Sequence, residues 1–305
     1  MVKVTLKSDA QNLDEVIVVA YGTAKKSSFT GSAAVIKADK IVSGSKESFD
    51  KALSGKMAGV RTASATGDPG SMAEINIRGV GSISASKSPL YVIDGVVTKA
   101  DDDMNYYGKT QSVLSTLNPE DIESMTVLKD AAAAVYGARA ANGVVLVTTK
   151  KGNLGAPKIS YSGTFGITDE VSRAKMLNAY QYGKLWNAVR AADPTDTSIN
   201  PLTDLFQADE LSTMRGLNYD LLDKYWKAAF TQQHSVNLSG ATERASYFAG
   251  ISFFDQDGNL GKLDYNRWNY RAGVDVKISK WLKANLQVSG DYGKQNKPNV
   301  KVGGT

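Results

Sequence analysis

The stretch LNPEDIESMTVLKDAAAAVYGARAANGVVLVTTKKG, from Leu117 to Gly152, decides the fold of this 305-residue chain. Its first part predicts a one-turn helix, because Asn118 is a good cap and Pro119 lacks the N–H that a first helical turn leaves unbonded. The two acidic residues that follow suit the positive end of such a turn. The chain then extends, and Ser124 to Leu128 is predicted to form a short strand.

The second part of this stretch predicts a helix and a buried strand. Asp130 is expected to cap a helix over Ala131 to Tyr136, and Gly137 supplies the left-handed residue at which such a helix ends. Val144 to Thr149 is a continuous run rich in β-branched residues, followed by two lysines and a glycine. A run of this kind is typical of a strand that is covered on both faces.

An earlier stretch predicts a tight β-hairpin. Leu90 to Ile93 and Val96-Val97 are apolar and flank the pair Asp94-Gly95. Asp-Gly is a preferred pair for the two central positions of a type I′ turn, where both residues have positive φ. We therefore expect the two flanking segments to pair as antiparallel strands.

At these residues the chain resembles the plug domain of SusC/RagA-type TonB-dependent outer-membrane transporters. The stretch from Leu117 to Gly152 is similar to the end of that domain, and further motifs match in the expected order. They are LDEVIVVAYG at Leu13 to Gly22, INIRG at Ile75 to Gly79 and PLYVIDG at Pro89 to Gly95. The resemblance implies an α+β plug domain followed by antiparallel transmembrane β-barrel strands, as a partial barrel in a fragment of a longer polypeptide.

The resemblance also implies a division of the chain into successive parts. Residues 1–12 would be the end of a periplasmic carboxypeptidase-regulatory-like β domain, and residues 13–23 the TonB box region. Residues 24–155 would form the plug domain. Residues 156–305 would be the first strands of the transmembrane barrel, with a long extracellular insertion over residues 170–230.

The first motif has two interpretations. Judged by its residues, the β-branched run is an ordinary buried strand that follows two acids. The resemblance implies instead the TonB box, an extended segment that pairs by edge addition with a strand of TonB. Backbone hydrogen bonds supply the affinity in such pairing, and β-branched residues favour the extended conformation. The implied TonB-binding residues are Asp14, Glu15, Val16, Ile17, Val18 and Val19.

Four residues are expected to have structural roles in the plug, namely Arg78, Gly79, Asp94 and Gly95. On the predicted strand Glu74 to Val80, the two isoleucines face one way and Arg78 faces the other. An unpaired buried charge is costly, so Arg78 is expected to find a carboxylate in the plug or in the barrel wall. The alternative is a solvated position in the lumen.

The loop Lys99 to Gln111 carries the candidate substrate contacts, Asp101, Asp102, Tyr106 and Tyr107. Its three successive aspartates, Asp101 to Asp103, could suggest a calcium site, but the alternate spacing and the glycine of a calcium loop are missing. Judged by its residues, the segment is therefore a solvated loop. If the plug interpretation holds, the loop lies at the extracellular end of the plug. In that position the tyrosine rings would be available to stack on a sugar, and the carboxylates would be available to accept hydrogen bonds from its hydroxyls.

Beyond Gly155 the pattern changes to alternating segments that are long enough to cross a bilayer at a tilt. Their connections alternate between short and long, as in outer-membrane barrels. A two-layer β-sandwich gives the same alternation, so the residues alone leave both architectures open. Helices are predicted around Ala179 to Ala191 and Tyr219 to Ala229. The predicted strands are Pro157 to Thr168, His234 to Gly240, Ala245 to Phe254, Tyr265 to Ile278 and Trp281 to Tyr292.

Composition argues against several functions. The chain has no cysteine and one histidine, His234, which we place at a strand end, so neither a histidine triad nor a zinc cluster has the necessary partners. Gly79 and Gly81 lack the third glycine of a dinucleotide loop. The net charge is +5, but the lysines and arginines are scattered among 31 acidic residues and form no basic run longer than a pair. This distribution argues against binding to nucleic acid. We therefore expect no enzyme activity, no cofactor, no metal and no nucleic-acid partner.

The resemblance implies TonB-dependent active import of nutrients, either oligosaccharides or peptides, across the outer membrane of a Gram-negative bacterium. The plug would gate the barrel, with the plug and the TonB box facing the periplasm. The implied partners are the periplasmic C-terminal domain of TonB, a SusD-like surface lipoprotein, outer-membrane lipid and a glycan or peptide substrate. Two alternatives stay open at this point: a TonB-dependent surface receptor that transduces a signal, and a soluble α+β ligand-binding protein.

Overall fold

The computed structural model describes residues 16–19, 22–25, 32–38, 51, 53–64, 67–71, 73–79, 88–98, 117–173, 175–192 and 200–297. The chain divides into two compact units. The first unit holds the described residues up to Gly166 together with Thr231–Gln256 and Asp264–Asn296. The second unit holds Ile167–Phe230 and Asp257–Leu263.

Short strands come first along the described chain. Two of the pairs they form are separate antiparallel ribbons, β1 with β2 and β4 with β5. The strands are β1 (Val16–Val19), β2 (Gly22–Lys25), β3 (Ser32–Lys37), β4 (Val60–Ser64), β5 (Ala73–Ile77), β6 (Leu90–Ile93), β7 (Val96–Thr98), β8 (Ile122–Lys129) and β9 (Val144–Thr149).

The remaining short strands form a five-stranded sheet in the order β3-β8-β9-β6-β7, here called the mixed sheet. In its centre β9 runs parallel to β6 and antiparallel to β8. Val145 and Val147 join one apolar cluster, whereas Val144 and Leu146 join the other. The prediction that this β-branched run is covered on both faces is therefore confirmed.

The connections next to β8 are 3-10 helices. The predicted one-turn helix is present over Pro119–Asp121, and the Asn118 side chain accepts a 3.0 Å hydrogen bond from the Glu120 N–H. A second 3-10 helix covers Asp130–Tyr136. The prediction that Asp130 caps this helix is wrong, because β8 continues to Lys129 and leaves no residue between strand and helix for a cap.

Long strands follow and form a second five-stranded sheet in sequence order, here called the long-strand sheet. The pairs β11–β12 and β13–β14 are antiparallel. The predicted strands are all present with shifted ends, and the last one starts late because residues 278–282 form a turn closed by the Ile278 N–H and the Leu282 carbonyl at 2.9 Å. The strands are β10 (Gly155–Thr168), β11 (Ala229–Ala241), β12 (Ala245–Asp257), β13 (Asp264–Lys277) and β14 (Lys283–Asn296).

The long-strand sheet buries many polar side chains, beside the rings of Phe248, Phe254 and Tyr265, and exposes apolar side chains on its other face. On β13, Arg267, Asn269 and Arg271 are buried, whereas Trp268 and Tyr270 between them are exposed. This confirms the predicted alternation between a polar and an apolar face. Neighbouring strands continue the pattern, with Thr231, Gln233, Ser235, Ser252 and Gln256 buried and Val236, Ile251, Leu286, Val288 and Tyr292 exposed.

In its described part, the second unit holds the helices α1 (Ala179–Ala191), α2 (Ala208–Met214) and α3 (Leu221–Tyr225). The helix α1 has the predicted bounds and begins with a capping box between Asn178 and Gln181. The sequence did not predict α2, and α3 is shorter than the helix predicted there. No helix among the described residues combines the length and the apolar composition needed to cross a membrane.

Candidate functional site

The hairpin of β6 and β7 turns at Asp94-Gly95, as predicted. Asp94 has a φ of 48° and Gly95 a φ of 87°, which are the positive values that a type I′ turn requires. The turn directs the Asp94 carboxylate to the end of β9, where it accepts a 2.9 Å hydrogen bond from the Thr149 N–H and another from the Thr149 hydroxyl. The mixed sheet therefore holds a carboxylate in a fixed position at its edge.

Arg271 of β13 contacts this carboxylate from the long-strand sheet. Its Nη2 lies 3.2 Å from Asp94 Oδ2 and also donates to the Thr149 hydroxyl. Its Nη1 lies 3.4 Å from the Lys150 carbonyl oxygen, and the Phe248 ring centroid is 5.0 Å from its Cζ. Because the side chains of Arg271 and Asp94 are only 8% and 5% exposed, this is a buried ion pair.

A second contact joins the Pro119–Asp121 turn to β10 and β11. Asn118 donates to Ser235 Oγ at 2.8 Å and accepts from Gln233 Nε2 at 3.0 Å. Glu120 accepts a 2.6 Å hydrogen bond from the Ser162 hydroxyl. Asn118 and Ser235 are almost fully buried, so these polar groups satisfy each other across the two sheets.

Asp121, the last residue of the same turn, is also buried, but it is not fully hydrogen-bonded within the described part of the chain. Its Oδ1 has no hydrogen-bond partner among the described residues. Burial raises the pKa of Asp121 from 3.8 to about 6, although the positive charges of Arg271 and Lys150 act in the opposite direction. The negative charge of Glu120 adds a smaller upward effect. This carboxyl therefore holds its proton at a pH where an ordinary aspartate is ionised.

A third contact uses the turn at Pro69 and Gly70. The Gly70 N–H lies 3.3 Å from Gln256 Oε1, and the Pro69 carbonyl accepts a 2.5 Å hydrogen bond from Gln295 Nε2. Gly70 has a φ of 71°, and a β-carbon at this position would stand 2.5 Å from Cγ of Tyr265. Both the backbone conformation and the close approach to Tyr265 therefore require glycine.

These contacts form a polar interface within the first unit. They consist of side-chain hydrogen bonds and one ion pair, and they connect three turns of the first unit to the inner face of the long-strand sheet. No group of metal-ligating side chains occurs in the described part of the chain. Such an arrangement can hold a domain against the sheet and exchange its bonds for bonds to water.

The structure describes part of the predicted TonB box. Its residues Val16, Ile17, Val18 and Val19 form β1 and pair antiparallel with β2. Asp14 and Glu15 lie outside the described residues. In this two-stranded ribbon β1 is an edge strand, so one of its ladder edges has no strand neighbour among the described residues.

Arg78 does not take the buried strand position that the alternation predicts. The strand β5 ends at Ile77, and Arg78 follows in a turn with a φ of 57°, exposed, with its N–H 2.9 Å from the Gly59 carbonyl oxygen. Gly79 continues the turn with a φ of 99°. Two successive residues with positive φ direct the chain away from the strand, so Arg78 lies exposed in a turn rather than buried on a strand face. The strand position predicted for this residue is wrong, and its carboxylate partner stays a prediction.

The remaining predicted positions are the candidate substrate contacts and His234. The candidate substrate contacts Asp101, Asp102, Tyr106 and Tyr107 lie outside the described residues. His234 lies inside β11 rather than at a strand end, because β11 begins earlier than predicted, at Ala229. Its Nδ1 is 2.8 Å from the Tyr161 hydroxyl, and its ring packs edge-on against Phe165.

The sequence reasoning missed Arg271, Thr149 and Asn118 as interface residues. One signal was available, because Arg271 shares the inward positions of β13 with Arg267, while aromatic residues occupy the positions between them. Inward-facing arginines in a strand indicate a buried polar partner. The identity of that partner has no local signal, since Asp94 and Arg271 are 177 residues apart in the chain.

We expect the buried ion pair to contribute far more to stability than an exposed pair in the same protein. Arg271→Gln leaves the Asp94 carboxylate buried without its counter-charge, which should cost about 3–5 kcal/mol. Lys151→Gln is the matched control, because Lys151 and Asp275 are 46% and 34% exposed, and exposed pairs contribute about 0–1 kcal/mol. Hydrogen exchange of the β6 and β9 amides in the full-length protein measures the loss of stability in both variants. Equal effects would contradict the argument.

Asp121 predicts an unusual pH dependence of stability. Its pKa is higher in the folded protein than in the unfolded chain, so the folded state binds the proton more tightly. The cost of burying the charged form, on the order of 3 kcal/mol, is present above about pH 6 and is relieved as the pH falls towards about 4. Asp121→Asn should therefore stabilise the protein at about pH 8 and change little at about pH 4.

The measurement is urea unfolding of the full-length protein at both pH values. Glu123→Gln is the control, because Glu123 lies two positions further along the chain and is exposed. A gain in stability that is the same at both pH values would show that the carboxyl of Asp121 is not the titrating group.

Comparison with known proteins identifies the relatives of this chain. Residues 25–144 match the model described as TonB-dependent Receptor Plug Domain. TonB-dependent receptor SusC of Bacteroides thetaiotaomicron is 37% identical over 300 residues, which are 95% of this chain and 27% of SusC. TonB-dependent receptor P39 of Formosa agariphila is 30% identical over 97% of this chain and 26% of its own length. The chain thus spans about a quarter of the length of these relatives.

A solved structure gives the same result. The RagAB peptide importer in its open-open state superposes with a TM-score of 0.72 at 30% identity, over 92% of this chain and 32% of that chain. The plug match covers the α+β domain, and the shared fold extends over the antiparallel strands of a β-barrel receptor that follow it. This chain therefore belongs to the SusC/RagA family of TonB-dependent receptors, of which it contains the plug domain and the first barrel strands.

Proposed function

We propose that the full-length receptor actively imports nutrients across the outer membrane of a Gram-negative bacterium, with residues 24–155 as a plug that gates a barrel begun by residues 156–305. The observation that carries this proposal is the inverted long-strand sheet. Trp268 and Tyr270 are exposed on its outer face, while Arg267, Asn269 and Arg271 are buried on its inner face. Water would favour the opposite arrangement, whereas a bilayer solvates an apolar outer face.

The inner contacts support a gating role for the plug. They are polar, as in the Asn118 bonds to Gln233 and Ser235 and the Asp94 pair with Arg271. The net contribution of one neutral hydrogen bond, such as those of Asn118, is about 0.5–1.5 kcal/mol, because water replaces the lost partner when the bond breaks. An interface of this kind separates in a wet lumen at a lower cost than an apolar core of the same area.

We assign the energy input to TonB, acting at residues 14–19 within the proposed TonB box region 13–23. The edge position of β1 supports this assignment, because strand addition by the periplasmic domain of TonB needs a ladder edge without a strand neighbour, as β1 has within the described part of the chain. The sequence contains no nucleotide-binding motif that would supply the energy within this chain. In this arrangement the plug and the TonB box face the periplasm.

We propose oligosaccharides or peptides as cargo and a SusD-like surface lipoprotein as the extracellular partner. One solved relative is the RagAB peptide importer, and one curated relative is the receptor SusC. The proposed extracellular insertion over residues 170–230 exposes Tyr182, Tyr219 and Tyr225. Exposed aromatic rings of this type suit contact with sugars, peptides or a partner protein.

Val18→Pro tests the coupling to TonB. Proline has no N–H and cannot complete a β-ladder, so the full-length receptor should lose binding to the purified periplasmic domain of TonB and lose TonB-dependent uptake. Ligand binding should stay nearly unchanged. Val18→Thr is the matched control, because threonine keeps both the N–H and the β-branch. Normal uptake and normal TonB binding by the proline variant would overturn the assignment of β1.

The loop tyrosines test where the ligand binds. A screen of glycans and peptides against the full-length receptor first supplies a ligand, and calorimetry then measures its affinity. Changing Tyr106 and Tyr107 to alanine should weaken binding by about 1–3 kcal/mol if both rings stack on the ligand. Tyr219→Ala, in the insertion, is the comparison variant. An affinity that the double change leaves intact would exclude the plug loop as the site.

A further inference from the structure

Arg271 has two buried carboxyl groups near its guanidinium and forms an ion pair with one of them. Its Nη2 lies 3.2 Å from Asp94 Oδ2, and its Nη1 lies 3.4 Å from the Lys150 carbonyl oxygen. The N–H of Lys150 donates a 2.8 Å hydrogen bond to the backbone carbonyl oxygen of Asp121. Lys150 therefore connects Asp121, which carries the second carboxyl, to the guanidinium that pairs with the first.

The Asp121 carboxyl lacks a donor. Asp121 is only 6% exposed, and its Oδ1 has no hydrogen-bond partner in the part of the chain that the structure describes. The charged side chains that act on this carboxyl are Glu120 of its own turn, Lys150 after β9 and Arg271 of β13. A guanidinium has five N–H donors in a planar fork, so Arg271 has donors for a second carboxylate. A buried acceptor without a donor therefore lies in the field of a buried cation.

The two carboxyl groups belong to turns that are held in different ways. Asp94 lies between β6 and β7, and β7 is an edge strand that pairs only with β6 among the described strands. The turn of Asp121 is bonded to the long-strand sheet, through Asn118 to side chains of β11 and through Glu120 to a side chain of β10. If the β6–β7 turn is displaced, Asp94 leaves Arg271 while Asp121 stays beside it.

We propose that Arg271 exchanges Asp94 for Asp121 when the β6–β7 turn moves away from β13. The guanidinium keeps a counter-charge during this movement, and water hydrates the released Asp94 carboxylate. Breaking a buried ion pair without a replacement is strongly destabilising, because it leaves an uncompensated charge, and the second carboxylate removes that cost. This inference rests on the proposed gating role of the plug and gives the β6–β7 turn a route of release.

The exchange requires an ionised Asp121. Burial raises the pKa of this carboxyl to about 6, while the charges of Arg271 and Lys150 act downward and the charge of Glu120 acts upward. Below that pH Asp121 carries a proton, and a neutral carboxyl offers Arg271 no counter-charge. The exchange therefore operates above about pH 6 and is blocked below it.

The test measures the pKa of Asp121 in the full-length receptor, from the infrared band of the protonated carboxyl that Asp121→Asn removes. Asp94→Asn keeps the size of the side chain but removes its charge, so Arg271 should turn to Asp121 and lower its pKa by about one unit or more. Asp275→Asn is the matched control, because Asp275 also lies on β13 and pairs with a cation, Lys151, at 2.8 Å. The control should leave the pKa of Asp121 unchanged.

A second background separates the exchange of partners from the simple loss of a negative charge. In a receptor that carries Arg271→Gln, Asp94→Asn should shift the pKa of Asp121 much less than in the parent protein. An equal shift in the two backgrounds would overturn the proposal, as would an Asp121 pKa that Asp94→Asn leaves unchanged in the parent.

If the Arg271→Gln variant does not fold, a cryo-electron microscopy structure of the full-length Asp94→Asn variant at about pH 8, above the pKa of Asp121, decides the question. An Arg271 nitrogen within about 3 Å of the Asp121 carboxylate supports the exchange. A guanidinium that stays on Thr149 and Lys150 without contacting Asp121 contradicts it.

These measurements do not depend on transport, so failure of this inference can be told apart from failure of the proposed function. Normal uptake by the parent receptor together with an unmoved pKa in Asp94→Asn would overturn the exchange alone. A receptor that shows the pKa shift but imports no glycan or peptide would contradict the proposed function and leave the exchange of partners in place.

Discussion

The burial of one guanidinium constrains how the plug meets the barrel strands. Arg271 lies on the inner face of β13, where an unpaired cation would cost several kcal/mol, so its partners have to be present together. Those partners are the Asp94 carboxylate, the Thr149 hydroxyl and the Lys150 carbonyl. Asp94 belongs to the hairpin turn, and the other two lie at the end of β9. The ion pair therefore fixes the mixed sheet against β13 at a single register.

Most polar groups at this interface are satisfied, and the exception is informative. Asn118 forms hydrogen bonds with two side chains of β11, and Glu120 forms one with β10. Asp121 in the same turn leaves an oxygen without a partner in the described part of the chain, and its pKa is raised to about 6. Water that enters between the plug and the sheet would hydrate this carboxyl. Separation thus recovers part of the free energy that burial of Asp121 costs, and this partly offsets the loss of the other bonds.

Local patterns predicted the elements that local physics determines. The β-branched run Val144–Thr149, the Asp94-Gly95 turn and the Asn118-Pro119 helix start each depend on residues close in sequence, and each is present. The sequence did not predict the edge strand Ser32–Lys37, in which Val35 and Ile36 are the only strong strand formers and which pairs with β8. The strand position predicted for Arg78 is wrong for a related reason, since two residues with positive φ follow Ile77 and end the strand there.

The choice between a barrel and a sandwich could not be made from alternation, because both architectures have a period of two. The structure shows which side chains of each sheet are buried and which are exposed. In the mixed sheet the buried residues are apolar, as in Val145 and Val147. In the long-strand sheet the buried residues include Arg267 and Arg271, and the exposed ones include Trp268. One chain therefore obeys two opposite burial rules. Since a burial rule reflects the solvent outside, the two sheets were selected for two different solvents, water for the plug and lipid for the outer face of the barrel strands.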